Sequence, residues 1–102
     1  MKPCCKEYLA EQFGGDEDVI AEIYTEYKNS VDEKIKEIEA ALAKRDWTGV
    51  DRSAHAIKGC AYTAGDAEMA ECAISIRSAA ILQGVADVEN GIASLKKLLE
   101  EL

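Results

Sequence analysis

The sequence predicts an all-α protein, and two observations support that prediction. Strand signals are almost absent, because the only proline stands at position 3 and no useful stretch alternates between polar and apolar residues. Apolar residues instead recur every three or four positions along nearly the whole chain, and Ala, Glu, Lys and Leu are abundant. A chain of 102 residues has room for one compact domain, which we expect to span residues 1–102.

The first two helices are separated by a glycine pair. A short amphipathic segment over about residues 4–13 ends at Gly14 and Gly15. Asp16 is then a candidate N-cap for a long helix, expected over about residues 16–44. The apolar positions of this long helix keep to one face and are Ile20, Ile23, Tyr27, Val31, Ile35, Ile38 and Leu42.

Three further helices are expected, over about residues 47–64, 67–83 and 85–101. Gly65 and Asp66 supply the stop of the third helix and the cap of the fourth. The apolar stripes are Trp47, Val50, Ala54, Ile57 and Ala61 in the third helix, Met69, Ala73, Ile76 and Ala80 in the fourth, and Val85, Val88, Ile92, Leu95, Leu99 and Leu102 in the fifth.

Four long amphipathic helices need one another, because none can bury its apolar stripe alone. The connecting turns are short, which favours antiparallel neighbours. We therefore expect an antiparallel up-and-down four-helix bundle, with the first short helix packed against it as an accessory.

Charge and cysteine content exclude several classes of function. Twenty acidic against twelve basic residues give a net charge of −8, which repels phosphate backbones and anionic lipids. No apolar run approaches the roughly 20 residues that cross a bilayer, and the N-terminus lacks a signal-peptide pattern. We expect a cytoplasmic protein with no nucleic-acid or membrane partner. The four cysteines form no CxxC pair, so no disulfide framework is expected, and Cys60 and Cys72 are interpreted as small buried apolar residues.

The one candidate for chemistry is the single histidine, His55. On a helix it points about 120° away from the centre of the apolar stripe, so it should reach solvent. Lys58 and Gly59 follow one turn later. A neutral imidazole, whose usual pKa is about 6.5, is a nucleophile at neutral pH, and the ammonium of Lys58 can offset the charge of a phosphoryl group on the ring. Gly59 costs a helix about 0.5–1 kcal/mol, and its missing side chain would let a partner's active site close over the imidazole.

The charge around His55 adds a further argument. The window from Lys44 to Lys58 holds four basic and two acidic residues, a local balance of 4 − 2 = +2 in an acidic chain. A positive face around His55 would suit docking to an acidic partner. For Arg45 and Arg52 an ordinary solvated face is an equally good interpretation.

The run His55-Ala56-Ile57-Lys58-Gly59, with Gly65 six residues later, resembles the HxxKG core of the histidine-containing phosphotransfer (HPt) family. The similarity covers nearly the whole chain, because Phe13 to Asp16, Ala40 to Trp47 and Met69 to Gly84 also fall in the order that this family shows. It implies a four-helix bundle and phosphorylation of His55.

The resemblance also implies partners. They are a response-regulator receiver domain, whose aspartate would exchange the phosphoryl group reversibly with His55, and a sensor or hybrid histidine kinase. It implies a phosphoryl carrier without a kinase activity, an ATP site or a cofactor of its own, and the sequence contains no Walker A loop. The Mg²⁺ would belong to the receiver.

One position departs from the pattern of the family. Members often carry Gln or Glu at the position matching Arg77, where the side chain can hydrogen-bond the imidazole and fix its tautomer. A guanidinium there would lower the proton affinity of the imidazole and could contact a bound phosphoryl group, but it could not accept a ring proton. A simply solvated Arg77 is the alternative.

Three other interpretations of the chain stay open. It could be a helical adaptor that docks receiver domains without being phosphorylated. It could resemble the phosphotransfer module of a chemotaxis-type kinase, although position 77 is not acidic. A metal site formed by His55 and Cys60 is the third, but a spacing of five residues puts the two about 140° apart on a helix.

Overall fold

The computed structural model describes residues 1–102, and they form five α-helices and no strand. The helices are α1 (Pro3–Phe13), α2 (Glu17–Ala43), α3 (Trp47–Ala64), α4 (Ala67–Ile81) and α5 (Val85–Glu100). The all-α class is confirmed. Each helix begins and ends within two residues of the position expected from the sequence.

The helices pack side by side into an elongated body of 43 × 20 × 18 Å. Helix α2 packs against α3 and α5, and α4 packs against the same two helices, while α1 lies on α2 and α3. The 27 residues of α2 span about 40 Å, so this helix sets the long dimension. No helix combines the length and the apolar composition that a membrane span requires.

Aspartates cap the N-terminal ends of α2, α3 and α4, as the sequence predicts for Asp16 and Asp66. The Oδ1 atom of Asp16 accepts a hydrogen bond from the backbone N–H of Val19 at 3.2 Å. The Oδ1 atom of Asp66 accepts one from the N–H of Met69 at 3.3 Å. These bonds satisfy backbone donors that have no partner within the first turn of a helix.

Residues in the left-handed backbone conformation lie at the C-terminal ends of four helices or in the turns that follow them, and Arg45 (φ 56°) is the one after α2. Gly14 (φ 61°) follows α1 and Gly65 (φ 73°) follows α3, as expected from the sequence. The fourth helix ends at Ile81 and not near residue 83, because Gln83 has a φ of 54° and lies in the turn.

The core is built from the predicted stripes, most of whose members are buried. The half-buried members, all packed against the core, are Ile23, Trp47, Val85, Leu99 and Leu102. Tyr24, which lies outside the predicted stripe of α2, is buried. Cys60 and Cys72 are half-buried against the core and not fully buried as interpreted from the sequence, and all four thiols are free.

The sequence did not predict a buried polar cluster around Asp66. This side chain is fully buried; its Oδ1 accepts a hydrogen bond from Nζ of Lys2 and its Oδ2 accepts one from the hydroxyl of Tyr27, both at 2.8 Å. The backbone N–H of Lys2 donates to the hydroxyl of Tyr24, which donates to the carbonyl of Leu102. The cluster therefore connects both ends of the chain to α2 and to the turn between α3 and α4.

The environment of this cluster raises the pKa of Tyr27 and of Lys2. Burial raises the pKa of the Tyr27 hydroxyl, and the Asp66 carboxylate beside it raises that pKa further. Burial alone would lower the pKa of Lys2, but the hydrogen bonds and charges of Asp66 and Glu68 outweigh it and raise the pKa overall. The Lys2 ammonium is therefore held in its charged form.

Candidate functional site

His55 lies in the middle of α3 and its side chain is exposed, as the sequence predicts. The opposite side of the helix packs into the core through Val50, Ala54, Ile57 and Ala61, all of which are fully buried. No group of the chain forms a hydrogen bond with the imidazole. Both ring nitrogens are therefore free of partners within the chain.

Lys58 and Gly59 lie one turn further along the same helix. Lys58 is half-buried and forms no ion pair. Gly59 is exposed, and a Cβ atom added there would meet nothing within 4 Å. Helix packing therefore does not require a glycine at this position, and the surface next to the imidazole is open.

Arg52 lies one turn before His55, is exposed and also forms no ion pair. At 100° per residue Arg52 and Lys58 lie about 60° to either side of His55 on the helix. The imidazole therefore stands between two cations whose charge no carboxylate of the chain neutralises.

Arg77 reaches this face of α3 from α4. Its Nε atom donates a hydrogen bond to Oδ1 of Asp51 at 2.8 Å, and the two side chains are 32% and 39% exposed. The interpretation of Arg77 as a simply solvated side chain is therefore wrong. Sequence reasoning missed Asp51, because the two residues are 26 positions apart and no spacing within one helix connects them.

The four basic residues between Lys44 and Lys58 do not form a single positive face. Arg45, in the left-handed region with a φ of 56°, donates to the carbonyl of Leu42 and lines a groove between α2 and α5. Lys44 and Arg52 line a different groove, between α2 and α3. The sequence prediction fails for Arg45, because its position in the turn directs its side chain away from α3.

Exposed apolar side chains lie on α3 and α4, and the sequence did not predict a role for them. Tyr62 follows His55 by two turns on the same face of α3 and is 55% exposed. Ile74 and Ile81 lie one turn before and one turn after Arg77 on α4, and both are exposed. Their position outside the apolar stripe of the fourth helix was the available signal.

His55 and Cys60, the pair considered as a metal site, are not placed to bind one ion together. Cys60 is half-buried against the core while His55 is exposed, so the two do not share a face of α3. Nowhere in the chain do three or more His, Cys, Asp or Glu side chains come together in a way that could hold a metal ion. What α3 presents is a nucleophilic ring with cations around it.

Comparison with known protein families identifies a family for this sequence. The family model described as "Hpt domain" matches residues 22–102, about four-fifths of the chain, including α3 and α4 with the residues described above. Comparisons with curated proteins and with solved structures each give no significant match. Hpt domains are phosphocarrier modules rather than kinases, and they act in histidine phosphotransfer. The chain belongs to the Hpt domain family of two-component signalling.

Proposed function

We propose that this protein carries a phosphoryl group on His55 and exchanges it with an aspartate of a response-regulator receiver domain. The observation that carries the proposal is the exposed imidazole, free of hydrogen bonds within the chain and flanked by the unpaired cations Arg52 and Lys58. A phosphoryl group on the ring would bring negative charge into this position, and nearby cations stabilise it.

In the transfer step this chain would supply a neutral imidazole and the receiver would supply an acyl phosphate. The unprotonated ring nitrogen of His55 attacks the phosphorus of the receiver's aspartyl phosphate, and a nitrogen–phosphorus bond forms. The phosphorus–oxygen bond to the aspartyl carboxylate breaks, and its electron pair stays on that carboxylate. The other ring nitrogen then releases its proton to solvent. The same steps in reverse return the group to the receiver.

Lys58 and Gly59 have different roles in this proposal. The ammonium of Lys58 offsets the charge of the phosphoryl group, and the bare backbone at Gly59 lets the receiver approach. The open space around Gly59 supports this role. The Mg²⁺ that transfer requires would be held by the receiver.

We infer that the helices which present His55 form an antiparallel up-and-down four-helix bundle with α1 as an accessory. The closed order of contacts, α2 with α3, α3 with α4, α4 with α5 and α5 with α2, supports this arrangement. So do the short connections between successive helices. A rigid bundle holds the imidazole in a fixed position for a partner.

Exposed apolar side chains on α3 and α4 are suited to a partner's surface. We assign receiver docking to Tyr62, two turns after His55 on the same face of α3, and to Ile74 and Ile81, which lie one turn before and one turn after Arg77 on α4. A sensor or hybrid histidine kinase, acting in the cytoplasm where ATP is available, would be the original source of the phosphoryl group. The chain itself would act as a carrier with no nucleotide site.

A transfer experiment tests the proposal directly. Receiver domains are phosphorylated with radiolabelled acetyl phosphate and Mg²⁺, purified away from the donor, and mixed with the protein. We expect acid-labile label on the wild type and none on the His55→Gln variant, because glutamine cannot form the phosphoramidate bond. Lys58→Gln should slow the transfer about three- to tenfold.

The controls separate this function from the alternatives. Lys36→Gln removes an exposed lysine of α2 that pairs with Asp32. This variant should transfer like the wild type, because Lys36 is not on the helix that carries His55. Receiver binding by an unlabelled wild type would favour the adaptor function. Label that persists on His55→Gln would place the acceptor elsewhere in the chain.

A further inference from the structure

Arg77 and Asp51 form an ion pair between α4 and α3, one helical turn before His55. Asp51 precedes His55 by four residues, so its side chain lies one turn away, about 6 Å along the helix and about 40° around it. Arg77 belongs to the neighbouring helix, and its Nε lies 2.8 Å from Oδ1 of Asp51. The carboxylate therefore fixes a cation from α4 on the face of α3 that carries the imidazole.

The guanidinium keeps most of its donors free. Only Nε is engaged, and neither Nη atom donates a hydrogen bond to any group of the chain. A guanidinium has five N–H donors in a planar fork, so it can hold a carboxylate with one edge and phosphoryl oxygens with another. Its partial exposure leaves the second edge accessible.

Unless a cation neutralised it, the charge of Asp51 would oppose phosphorylation of His55. A bare carboxylate one turn from His55 would repel a phosphoryl group of about two negative charges. Pairing with Arg77 neutralises that carboxylate and leaves the Nη donors of the guanidinium free. Arg52 and Lys58 lie about 60° to either side of His55, and the free Nη donors of Arg77, held beside Asp51, are a third group that can donate to phosphoryl oxygens.

We propose that Arg77 binds the phosphoryl group on His55 and that Asp51 is the positioning residue that holds Arg77 in place to do so. This inference rests on the proposed function of His55. It also gives the residue that replaces the usual Gln or Glu a defined task. The phosphorylated state is stabilised through its oxygen atoms and not through the tautomer of the ring.

Chemical loading makes the test independent of any receiver. Phosphoramidate phosphorylates an exposed imidazole: its phosphorus–nitrogen bond breaks, ammonia leaves, and the ring nitrogen forms the new bond while its other nitrogen loses a proton. The pKa of the resulting phosphoryl group is then measured by ³¹P NMR titration. A cation in contact with the phosphoryl group lowers this pKa, because it favours the doubly charged form.

We expect Arg77→Gln to raise the phosphoryl pKa by about 0.7, a fivefold change in the ionisation constant. In the Asp51→Asn background the same substitution should change the constant less than about twofold, because the guanidinium is no longer held. Lys96→Gln is the matched control: Lys96 also lies 2.8 Å from a carboxylate, that of Glu39, but on α5 and α2. It removes the same charge and should leave the phosphoryl pKa unchanged.

Two results would overturn the inference. An unchanged phosphoryl pKa in Arg77→Gln would show that the guanidinium does not bind the group. An equal effect of Arg77→Gln with and without Asp51 would show that Asp51 does not position it. A failure of the proposed function gives a different result: chemical loading would succeed, but no receiver would exchange the group.

Discussion

His55 has no hydrogen-bond partner, and this has consequences for the proposed exchange. Nothing within the chain fixes which ring nitrogen carries the proton, because the residue facing the site from α4 is an arginine, which only donates. In the proposed exchange, the docked receiver would select between the two nitrogens. The chain contributes position and charge: a helix anchored by its buried face, and cations at either side.

Two substitutions at Gly59 distinguish its effect on the stability of the fold from its effect on phosphoryl transfer. We expect Gly59→Ala to raise the free energy of unfolding by about 0.5–1 kcal/mol, because alanine is the better helix former and its Cβ meets nothing within 4 Å. Gly59→Leu should accept phosphoryl from phosphoramidate normally but accept it from a receiver at least about tenfold more slowly. Urea unfolding and the two loading rates measure these effects.

Gly91 provides the matched control for Gly59. It also lies within a helix, but an added Cβ would overlap the side chain of the buried Ile76. Gly91→Ala should therefore lower the free energy of unfolding, by about 1–3 kcal/mol. Normal receiver transfer in Gly59→Leu would contradict the role of Gly59 as the clearance for docking.

At the scale of the elements, sequence reasoning was strongest where the signal is local. The helix limits follow from apolar spacing, from caps such as Asp16 and Asp66, and from stops such as Gly14 and Gly65. The exposure of His55 follows from the same periodicity, because burial on one side of a helix fixes the exposed side.

Pairings between elements were not predictable from the sequence. Lys2 and Asp66 are 64 positions apart, and Arg77 and Asp51 are 26 apart. Which side chains meet depends on the rotation and the axial shift of each packed helix, and helical periodicity contains neither quantity. Arg45 differs from these pairs, because its partner Leu42 is only three residues away; its direction was missed because it lies in a turn with a φ of 56°, where helical periodicity does not apply.

The attachment of the N-terminal segment depends on one of these pairings. We expect Lys2→Met to lower the free energy of unfolding by about 2–4 kcal/mol, because it leaves the fully buried carboxylate of Asp66 without its counter-charge. Urea unfolding followed by circular dichroism measures the loss. Lys36→Met breaks an exposed pair with Asp32 and should cost less than about 1 kcal/mol. Equal losses in the two variants would contradict a structural role of the Lys2 pair.

At the scale of the whole molecule, the charge distribution contrasts with the net charge. The chain carries a net charge of −8, yet the face around His55 presents Arg52, Lys58 and Arg77, of which only Arg77 forms an ion pair, with Asp51. A local positive area in a negative field orients an approaching acidic surface toward His55 and keeps it off the remaining surface. In the proposed function, this acidic surface would be that of the receiver around its phosphorylated aspartate.

The whole molecule should lose stability at alkaline pH, because burial raises the pKa of several of its acids. The thiol of Cys5, fully buried in α1, has its pKa raised from 9.0 to about 12, first by burial and then by the charge of Asp66. Burial likewise raises the pKa of Tyr24, Tyr27 and Cys72. A raised pKa means that the folded chain holds a proton which the unfolded chain releases. Stability is therefore complete below about pH 9 and falls as the pH rises toward 12.

A single variant isolates the contribution of Cys5. Between its unfolded and folded pKa values, one such thiol lowers the free energy of unfolding by about 1.4 kcal/mol per pH unit at most. We expect Cys5→Ala, under reducing conditions, to lose about 1 kcal/mol less than the wild type between pH 8 and pH 10 in urea unfolding. Cys4→Ala, which removes the exposed neighbouring thiol, should keep most of the wild-type slope. If Cys5→Ala fell as steeply as the wild type, the alkaline loss would originate in the tyrosines and Cys72, and the anchoring of α1 would not depend on a protonated thiol.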